Sequence, residues 1–145
     1  MKKTDKTVLI IEDSPAQALA LESLLREEGL GVLWAPDGKV GLHQAQVHAP
    51  DAILLDIEMP EMDGFEACKQ LKRDDQTAGI PIVMLTVRDD ASTALHSMDL
   101  GAIDFVPKDA FCGPILLETL RQLRILPRSD NRVPVTEGDW TMADE

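Results

Sequence analysis

Residues 8–15 read VLIIEDSP, and the predicted fold follows from the order of residue types in this segment. Its four apolar residues run without alternation, which is typical of a parallel strand covered on both faces. Two acids end the run, and Ser14 followed by Pro15 is typical of a helix N-cap and a first helical position. The stretch therefore predicts a buried strand, an acidic strand end and an immediate helix, which together begin a βα unit.

The same unit recurs along the chain, which favours alternating strands and helices. Strands are predicted at residues 8–11, 31–35, 52–55, 82–85 and 103–106. Helices are predicted at residues 15–28, from the Asp37 cap to the residue before Pro50, around 65–71, at 91–100, and in a segment that carries Ile115, Leu116, Leu120 and Leu123 and ends near Leu126. Because crossovers between parallel strands are right-handed, five such units predict an α/β protein with a doubly wound, five-stranded parallel sheet and five helices.

Glycine and proline mark the predicted turns. Gly29 is expected to end the first helix in the left-handed conformation, and Gly101 is expected to close the fourth. After the third strand, Pro60 fixes its own φ, and Gly64 is expected to tolerate an unusual φ. We therefore expect a tight loop to lead from the third strand into the third helix.

The chain has 145 residues, a length at which one domain is expected. Residues 1–126 contain all the predicted strands and helices. Residues 127–145 contain Pro, Gly, Ser and Asp and show no apolar period. We therefore expect a single domain at 1–126, followed by a polar acidic tail or a truncated linker at 127–145.

The charge balance argues against several classes of function. The chain carries 14 Lys and Arg against 26 Asp and Glu, a formal net charge of −12, and its aromatic residues are 3 Phe and 2 Trp. An acidic surface with few aromatic rings repels phosphate backbones, so direct nucleic-acid binding is not expected. Cys68 and Cys112 lack the spacing of a zinc or redox motif. No apolar stretch reaches the length of a membrane span, and we expect a cytoplasmic protein without a membrane segment.

Charged and hydroxyl side chains follow the predicted strands. Glu12 and Asp13 follow the first strand, Asp56 the third, Thr86 the fourth and Lys108 the fifth. Ligands of an open parallel sheet bind at the carboxyl ends of its strands, so these side chains are expected to lie together. Three carboxylates facing one lysine either take up protons or recruit a divalent cation, and hard oxygen ligands favour Mg²⁺. The pattern predicts a site for a magnesium ion and a phosphoryl group.

In combination, four motifs resemble the response-regulator receiver domain of two-component signal transduction. They are VLIIEDS at 8–14, LLDIEMPEMDG at 54–64, MLT at 84–86 and GAIDFVPK at 101–108. The resemblance covers about residues 7–126. It implies a flavodoxin-like sheet with strand order 2-1-3-4-5, and a phosphoacceptor switch of a two-component or phosphorelay system rather than an enzyme that turns over a separate substrate.

The resemblance also implies roles for single residues. Asp56 would be the phosphoacceptor and would take its phosphoryl group from a histidine kinase or a histidine phosphotransfer protein. Thr86 and Lys108 would hold phosphoryl oxygens and so form the catalytic set with Asp56, while Thr86 and Phe105 would form the switch. Phosphorylation and dephosphorylation would both be self-catalysed.

A metal site follows from the same resemblance. Asp13 would bind Mg²⁺ directly, Glu12 would support it through water, and Asp56 together with the backbone carbonyl of Glu58 would complete the protein ligands.

The partner surface implied by the resemblance consists of helix four, strand five and helix five. Phosphorylation would change this surface, so that a downstream protein of unknown identity or a second copy of the chain binds with altered affinity.

Two other functions share part of the pattern. A small haloacid-dehalogenase-like phosphatase also uses an Asp nucleophile, Thr, Lys and Mg²⁺, but it places its nucleophile on the first strand in a DxD arrangement. A flavodoxin-like binding module would carry a Gly-rich or Ser/Thr-rich phosphate loop after strand one, where this chain has Glu12-Asp13-Ser14.

Overall fold

The computed structural model describes residues 5–86, 91–108 and 112–127. Within these ranges, five strands alternate with five helices. The strands are β1 (Thr7–Ile11), β2 (Gly31–Ala35), β3 (Ala52–Asp56), β4 (Ile82–Thr86) and β5 (Asp104–Pro107). The helices are α1 (Pro15–Glu27), α2 (Gly38–His48), α3 (Gly64–Arg73), α4 (Ala91–Asp99) and α5 (Cys112–Gln122).

All five strands form one parallel sheet in the order β2-β1-β3-β4-β5. The predicted α/β fold and strand order are therefore confirmed. The register pairs Ile11 with both Ala35 and Leu55, and Asp56 with Leu85. The carboxyl ends of β1, β3 and β4 consequently lie side by side at one edge of the sheet.

The core lies on both faces of this sheet. Along β1, Leu9 and Ile11 belong to one apolar cluster, whereas Val8 and Ile10 belong to the cluster on the opposite face. Every residue of β3 and β4 is buried. Because both faces of the sheet are buried, the strands read as continuous apolar runs. Burial of each Leu or Ile side chain contributes about 1.5–3 kcal/mol to the free energy of folding.

Local capping fixes where the helices start. The Ser14 side chain accepts a hydrogen bond from the Gln17 N–H at 3.3 Å, with Pro15 as the first helical residue. Asp37 caps α2 and Asp63 caps α3 in the same manner. Gly29 follows α1 and Gly101 follows α4, with φ values of 89° and 104°. Both glycines thus have the positive φ that the sequence predicts at these helix ends.

Helix α5 ends at Gln122, so the predicted end near Leu126 is wrong. Arg124 adopts a left-handed φ of 64°, and the Ile125 N–H turns back to the Leu120 carbonyl at 2.9 Å. Ile125 and Leu126 remain buried after this turn. The apolar period therefore continued past the last helical residue and made the helix look longer than it is.

Candidate functional site

The carboxyl edge of the sheet carries the five residues that the sequence predicts there, and the side chains of four of them lie together. Glu12 and Asp13 directly follow β1, Asp56 ends β3, Thr86 ends β4 and Lys108 directly follows β5. Ligand oxygens of Glu12, Asp13 and Asp56 all lie within 4.8 Å of one another. Residues that are up to 96 positions apart in sequence thus form one compact site.

Lys108 reaches across the sheet into this acidic cluster. Its Nζ donates to Glu12 Oε1 at 2.8 Å and to Asp56 Oδ1 at 3.1 Å. Its own N–H donates to the Thr86 carbonyl at 2.6 Å, which anchors it to the end of β4. The side chains of Glu12 and Asp56 are 1% and 5% exposed, so both ion pairs are largely shielded from water.

Burial and charge act in opposite directions on these groups. Burial raises the pKa of the Glu12 and Asp56 carboxyls above their ordinary values, while hydrogen bonding and charge from Lys108 act to lower it. The negative charge of Asp13 adds to the raised pKa of Asp56, and a hydrogen bond from the Glu58 backbone opposes it. Burial lowers the pKa of Lys108, but the hydrogen bond to Glu12 and the charge of Asp56 outweigh this effect and raise it.

The donor set fits a hard divalent cation. Three carboxylates face the single positive charge of Lys108, and Asp13 is exposed whereas Glu12 and Asp56 are buried. Carboxylate oxygens on a partly open site are the ligands that Mg²⁺ prefers, because this ion retains several waters. The residues present therefore fit the ion that the sequence predicts.

The loop from β3 to α3 passes close to Asp56, and Gly64 makes this approach possible. The Gly64 N–H donates to the Ile57 carbonyl at 2.8 Å. A Cβ at Gly64 would lie 2.6 Å from the Ile57 Cα and would also overlap the Asp56 carbonyl oxygen. The expectation of an unusual φ at Gly64 is wrong, because the left-handed residue of this loop is Glu61, with a φ of 65°.

The two expected switch residues lie on one face of the sheet. Thr86 is fully buried, and it follows Leu85, which pairs with Asp56. Phe105 is half-buried on the edge strand β5 and pairs with Met84, two residues before Thr86. Side chains at i and i+2 share a face, so Phe105 is a diagonal neighbour of Thr86.

One contact of the site was missed by sequence reasoning. The Trp34 indole Nε1 donates to the backbone carbonyl oxygen of Glu12 at 2.7 Å. The sequence predicts Trp34 on the second strand and gives no indication of a contact with the site. Trp34 is the penultimate residue of β2, and β2 pairs with β1, which Glu12 directly follows. This position is the sequence signal that could have indicated a contact with Glu12.

Comparisons with known proteins agree on one family. The response regulator receiver domain profile matches residues 8–121. Protein PilH of Pseudomonas aeruginosa is 35% identical over 113 residues, which are 78% of this chain and 89% of that protein. The alkaline phosphatase synthesis transcriptional regulatory protein PhoP of Bacillus subtilis is 33% identical over 133 residues, which are 92% of this chain and 53% of that protein.

A solved structure gives the same result. The chemotaxis protein CheY4 of Vibrio cholerae has a TM-score of 0.77 and 31% identity, with 83% of this chain and 99% of that chain covered. The chain therefore belongs to the family of response regulator receiver domains of two-component signalling. The phosphatase alternative is not supported, because the matching family is a response regulator receiver domain and PhoP is named as a transcriptional regulatory protein. In addition, Lys108 faces an aspartate at the end of the third strand, not the first.

The share of each relative that this chain covers differs between PilH and PhoP. The chain spans most of PilH but about half of PhoP. Among the helices that the structure describes, none has the length and apolar character needed to span a membrane.

Proposed function

We propose that Asp56 is the phosphoacceptor of this receiver domain and takes its phosphoryl group from a histidine kinase or a histidine phosphotransfer protein. The main support for this proposal is the environment of the Asp56 side chain at the end of β3. Its carboxylate is buried, lies 3.1 Å from Lys108 Nζ and belongs to the cluster with Glu12 and Asp13.

In the proposed transfer, one Oδ of Asp56 forms a bond to phosphorus. The bond between phosphorus and the donor nitrogen breaks, and the electron pair leaves with the imidazole, which takes up a proton. Lys108 moves from the Asp56 carboxylate to a phosphoryl oxygen, and the Thr86 hydroxyl donates to another. Since phosphoryl transfer passes through a loose transition state, alignment and positive charge are the main contributions that these side chains make.

Glu12, Asp13 and Asp56 would hold the divalent cation together with the Glu58 backbone carbonyl, with Asp13 as a direct ligand and Glu12 acting through water. When bound, Mg²⁺ supplies positive charge to the phosphoryl oxygens and offsets the repulsion among the carboxylates. The exposed Asp13 carboxylate leaves the site open for the ion and its waters.

Loss of the phosphoryl group is proposed to need no separate enzyme. The oxygen of a water molecule attacks phosphorus, the bond to Asp56 breaks, and the aspartate carboxylate is restored as inorganic phosphate leaves. An acyl phosphate hydrolyses readily, so the signal is transient. The chain therefore acts as a switch that catalyses its own modification and does not turn over a separate substrate.

We propose that phosphorylation changes the surface made by α4, β5 and α5. Thr86 and Phe105 connect the site to β5, and large apolar side chains are exposed nearby: Leu95 at 66%, Ile103 at 48% and Ile115 at 42%. The proposed partner is a downstream protein or a second copy of the chain. A net charge of −12 disfavours direct binding to nucleic acids and to anionic membranes.

The proposed domain covers residues 1–126, whereas the expected polar acidic tail lies, from residue 128 onward, outside the described residues. Support comes from the family match over 8–121 and from the burial of Leu126 at 4% exposure. We propose a cytoplasmic location, because the kinases that feed such a site draw on cytoplasmic ATP.

The proposal is tested by intact mass after incubation with acetyl phosphate and Mg²⁺. We expect one added phosphoryl group in the wild type and none in Asp56→Asn. The matched control is Asp75→Asn, which removes the same carboxylate from an exposed loop and should be modified like the wild type. Modification of Asp56→Asn at the wild-type rate would exclude Asp56 as the acceptor.

A further inference from the structure

Trp34 contacts the site but has no part in the function proposed above. It lies on β2, at an edge of the sheet, and is 39% exposed, so its indole N–H could be satisfied by water. It donates instead to the Glu12 carbonyl at 2.7 Å. We propose that Trp34 is a positioning residue that holds the Glu12–Asp13 peptide, and with it the Asp13 carboxylate, in the orientation that binds the divalent cation. This inference rests on the proposed role of Asp13 as a metal ligand.

The indole takes the place of a strand hydrogen bond. The β1–β2 pairing ends at Ile11 and Ala35, and one further bond runs from the Glu12 N–H to the Ala35 carbonyl at 3.0 Å. A continued parallel ladder would supply the Glu12 carbonyl with the N–H of residue 37. Asp37 is instead the N-cap of α2, so the chain has left the strand direction there. The Trp34 side chain provides the donor that the turning backbone does not.

Fixing this carbonyl has a direct effect on Asp13. The Glu12 carbonyl and the Asp13 N–H belong to one planar peptide unit, so the direction of the carbonyl sets the direction in which the Asp13 Cα is placed. The Glu12 side chain is held independently, by Lys108 at 2.8 Å and by the Ser14 N–H at 3.1 Å. Asp56 is held by Lys108 at 3.1 Å.

Asp13 has less support from its own side chain. Its carboxylate is exposed and accepts no hydrogen bond from residues 5–86, 91–108 and 112–127. Within the described residues, its position before an ion arrives therefore depends on the backbone, and Trp34 supplies a side-chain hydrogen bond to the adjoining peptide. Loss of a partner that orients a metal ligand in this way typically weakens metal affinity by about 10–100-fold.

The first test is Trp34→Phe, which keeps an aromatic ring on β2 and removes the N–H. With Mg²⁺ alone as the probe, calorimetric titration should show a dissociation constant about tenfold higher than that of the wild type. The rate of phosphorylation by acetyl phosphate should return to the wild-type value once Mg²⁺ is saturating. Trp140→Phe removes the other indole of the chain and should leave the Mg²⁺ affinity unchanged.

A Trp34→Phe protein that melts like the wild type without Mg²⁺ and binds the ion with wild-type affinity would overturn the inference. If wild-type protein gave no response to Mg²⁺, the proposed function would fail, and this inference with it. A wild-type response combined with an unchanged affinity in Trp34→Phe would count against the role of Trp34 alone.

A second measurement uses the wild type and does not depend on the folding of the variant. In ¹⁵N-resolved NMR spectra, the Trp34 indole resonance should shift during a Mg²⁺ titration with the same dissociation constant as the Asp13 amide. An indole resonance that stays fixed while the Asp13 amide moves would contradict the coupling between Trp34 and the ligand.

Discussion

Lys108 is the residue on which the acidic cluster depends for its charge balance. Its Nζ lies 2.8 Å from Glu12 Oε1 and 3.1 Å from Asp56 Oδ1, and its side chain is 14% exposed. A buried ion pair of this kind gains little over an apolar pair, but removal of one partner leaves an uncompensated charge. Lys108 therefore stabilises two carboxylates that would otherwise be costly to bury.

We expect Lys108→Met to lower the free energy of unfolding of the metal-free protein by about 3 kcal/mol at pH 7. The raised pKa values of Glu12 and Asp56 should rise further without the ammonium group. The folded state then binds protons more tightly than the unfolded state, so stability increases as the pH falls from 7 towards 5. Urea unfolding at both pH values measures this. A variant with the same pH slope as the wild type would show that Lys108 does not govern the two carboxyls.

Asp13→Asn is expected to have the opposite effect on the metal-free protein. Asp13 raises the pKa of Asp56 by charge repulsion, so its neutralisation should stabilise the fold without Mg²⁺ and raise the melting temperature by about 2–4 °C per kcal/mol gained. The stabilisation that Mg²⁺ gives the wild type should be reduced, because a ligand is lost. Melting curves with and without Mg²⁺ test both halves. A destabilised variant with an unchanged Mg²⁺ response would contradict the cluster as a cation site.

Among the secondary structure elements, the strands were easier to predict than their surroundings. The apolar runs of β1, β3 and β4 carry their own signal, because both faces are buried and no polar residue interrupts them. The end of α5 carried no such signal, since Ile125 and Leu126 continue the apolar period beyond the helix. The five strand-end side chains could be predicted because topology alone brings strand ends together. The Trp34 contact depends on a side-chain orientation that the sequence does not give.

The loop between β3 and α3 depends on the lack of a side chain at Gly64. Gly64→Ala should lower the free energy of unfolding by about 3 kcal/mol, because the new Cβ would meet backbone atoms of Asp56 and Ile57 that cannot move aside. Gly79→Ala is the matched control, since a Cβ there meets no atom within 4 Å. The free energy of unfolding of that variant should equal the wild-type value or exceed it by up to about 1 kcal/mol. Equal stabilities for the two variants in urea unfolding would show that the loop does not need glycine at position 64.

At the scale of the whole molecule, the site exists only when the sheet is complete. Lys108 and Glu12 are 96 residues apart, and the strands that carry them are separated by β3 and β4. Movement of β4 or β5 would therefore change the distances from Lys108 to Glu12 and Asp56. Conversely, a change in these contacts would shift Lys108 and the strands β4 and β5 to which it is connected. Thr86 ends β4 and holds the Lys108 N–H at 2.6 Å, so it lies on the route from Asp56 to the β5 side of the molecule.

We expect Thr86→Ala to separate modification from the change at the surface. Asp56 should still gain a phosphoryl group, although more slowly, because Lys108 and the acidic cluster remain in place. The Thr86 hydroxyl would no longer draw β4 towards the phosphoryl oxygens, so Phe105 would keep its position on β5. The measurement is NMR of the Phe105 ring and of the amides of α4 and β5, with and without beryllofluoride and Mg²⁺. Thr86→Ser retains the hydroxyl and should restore the wild-type shifts, whereas shifts of equal size in wild type and Thr86→Ala would refute the coupling even if Asp56 is the acceptor.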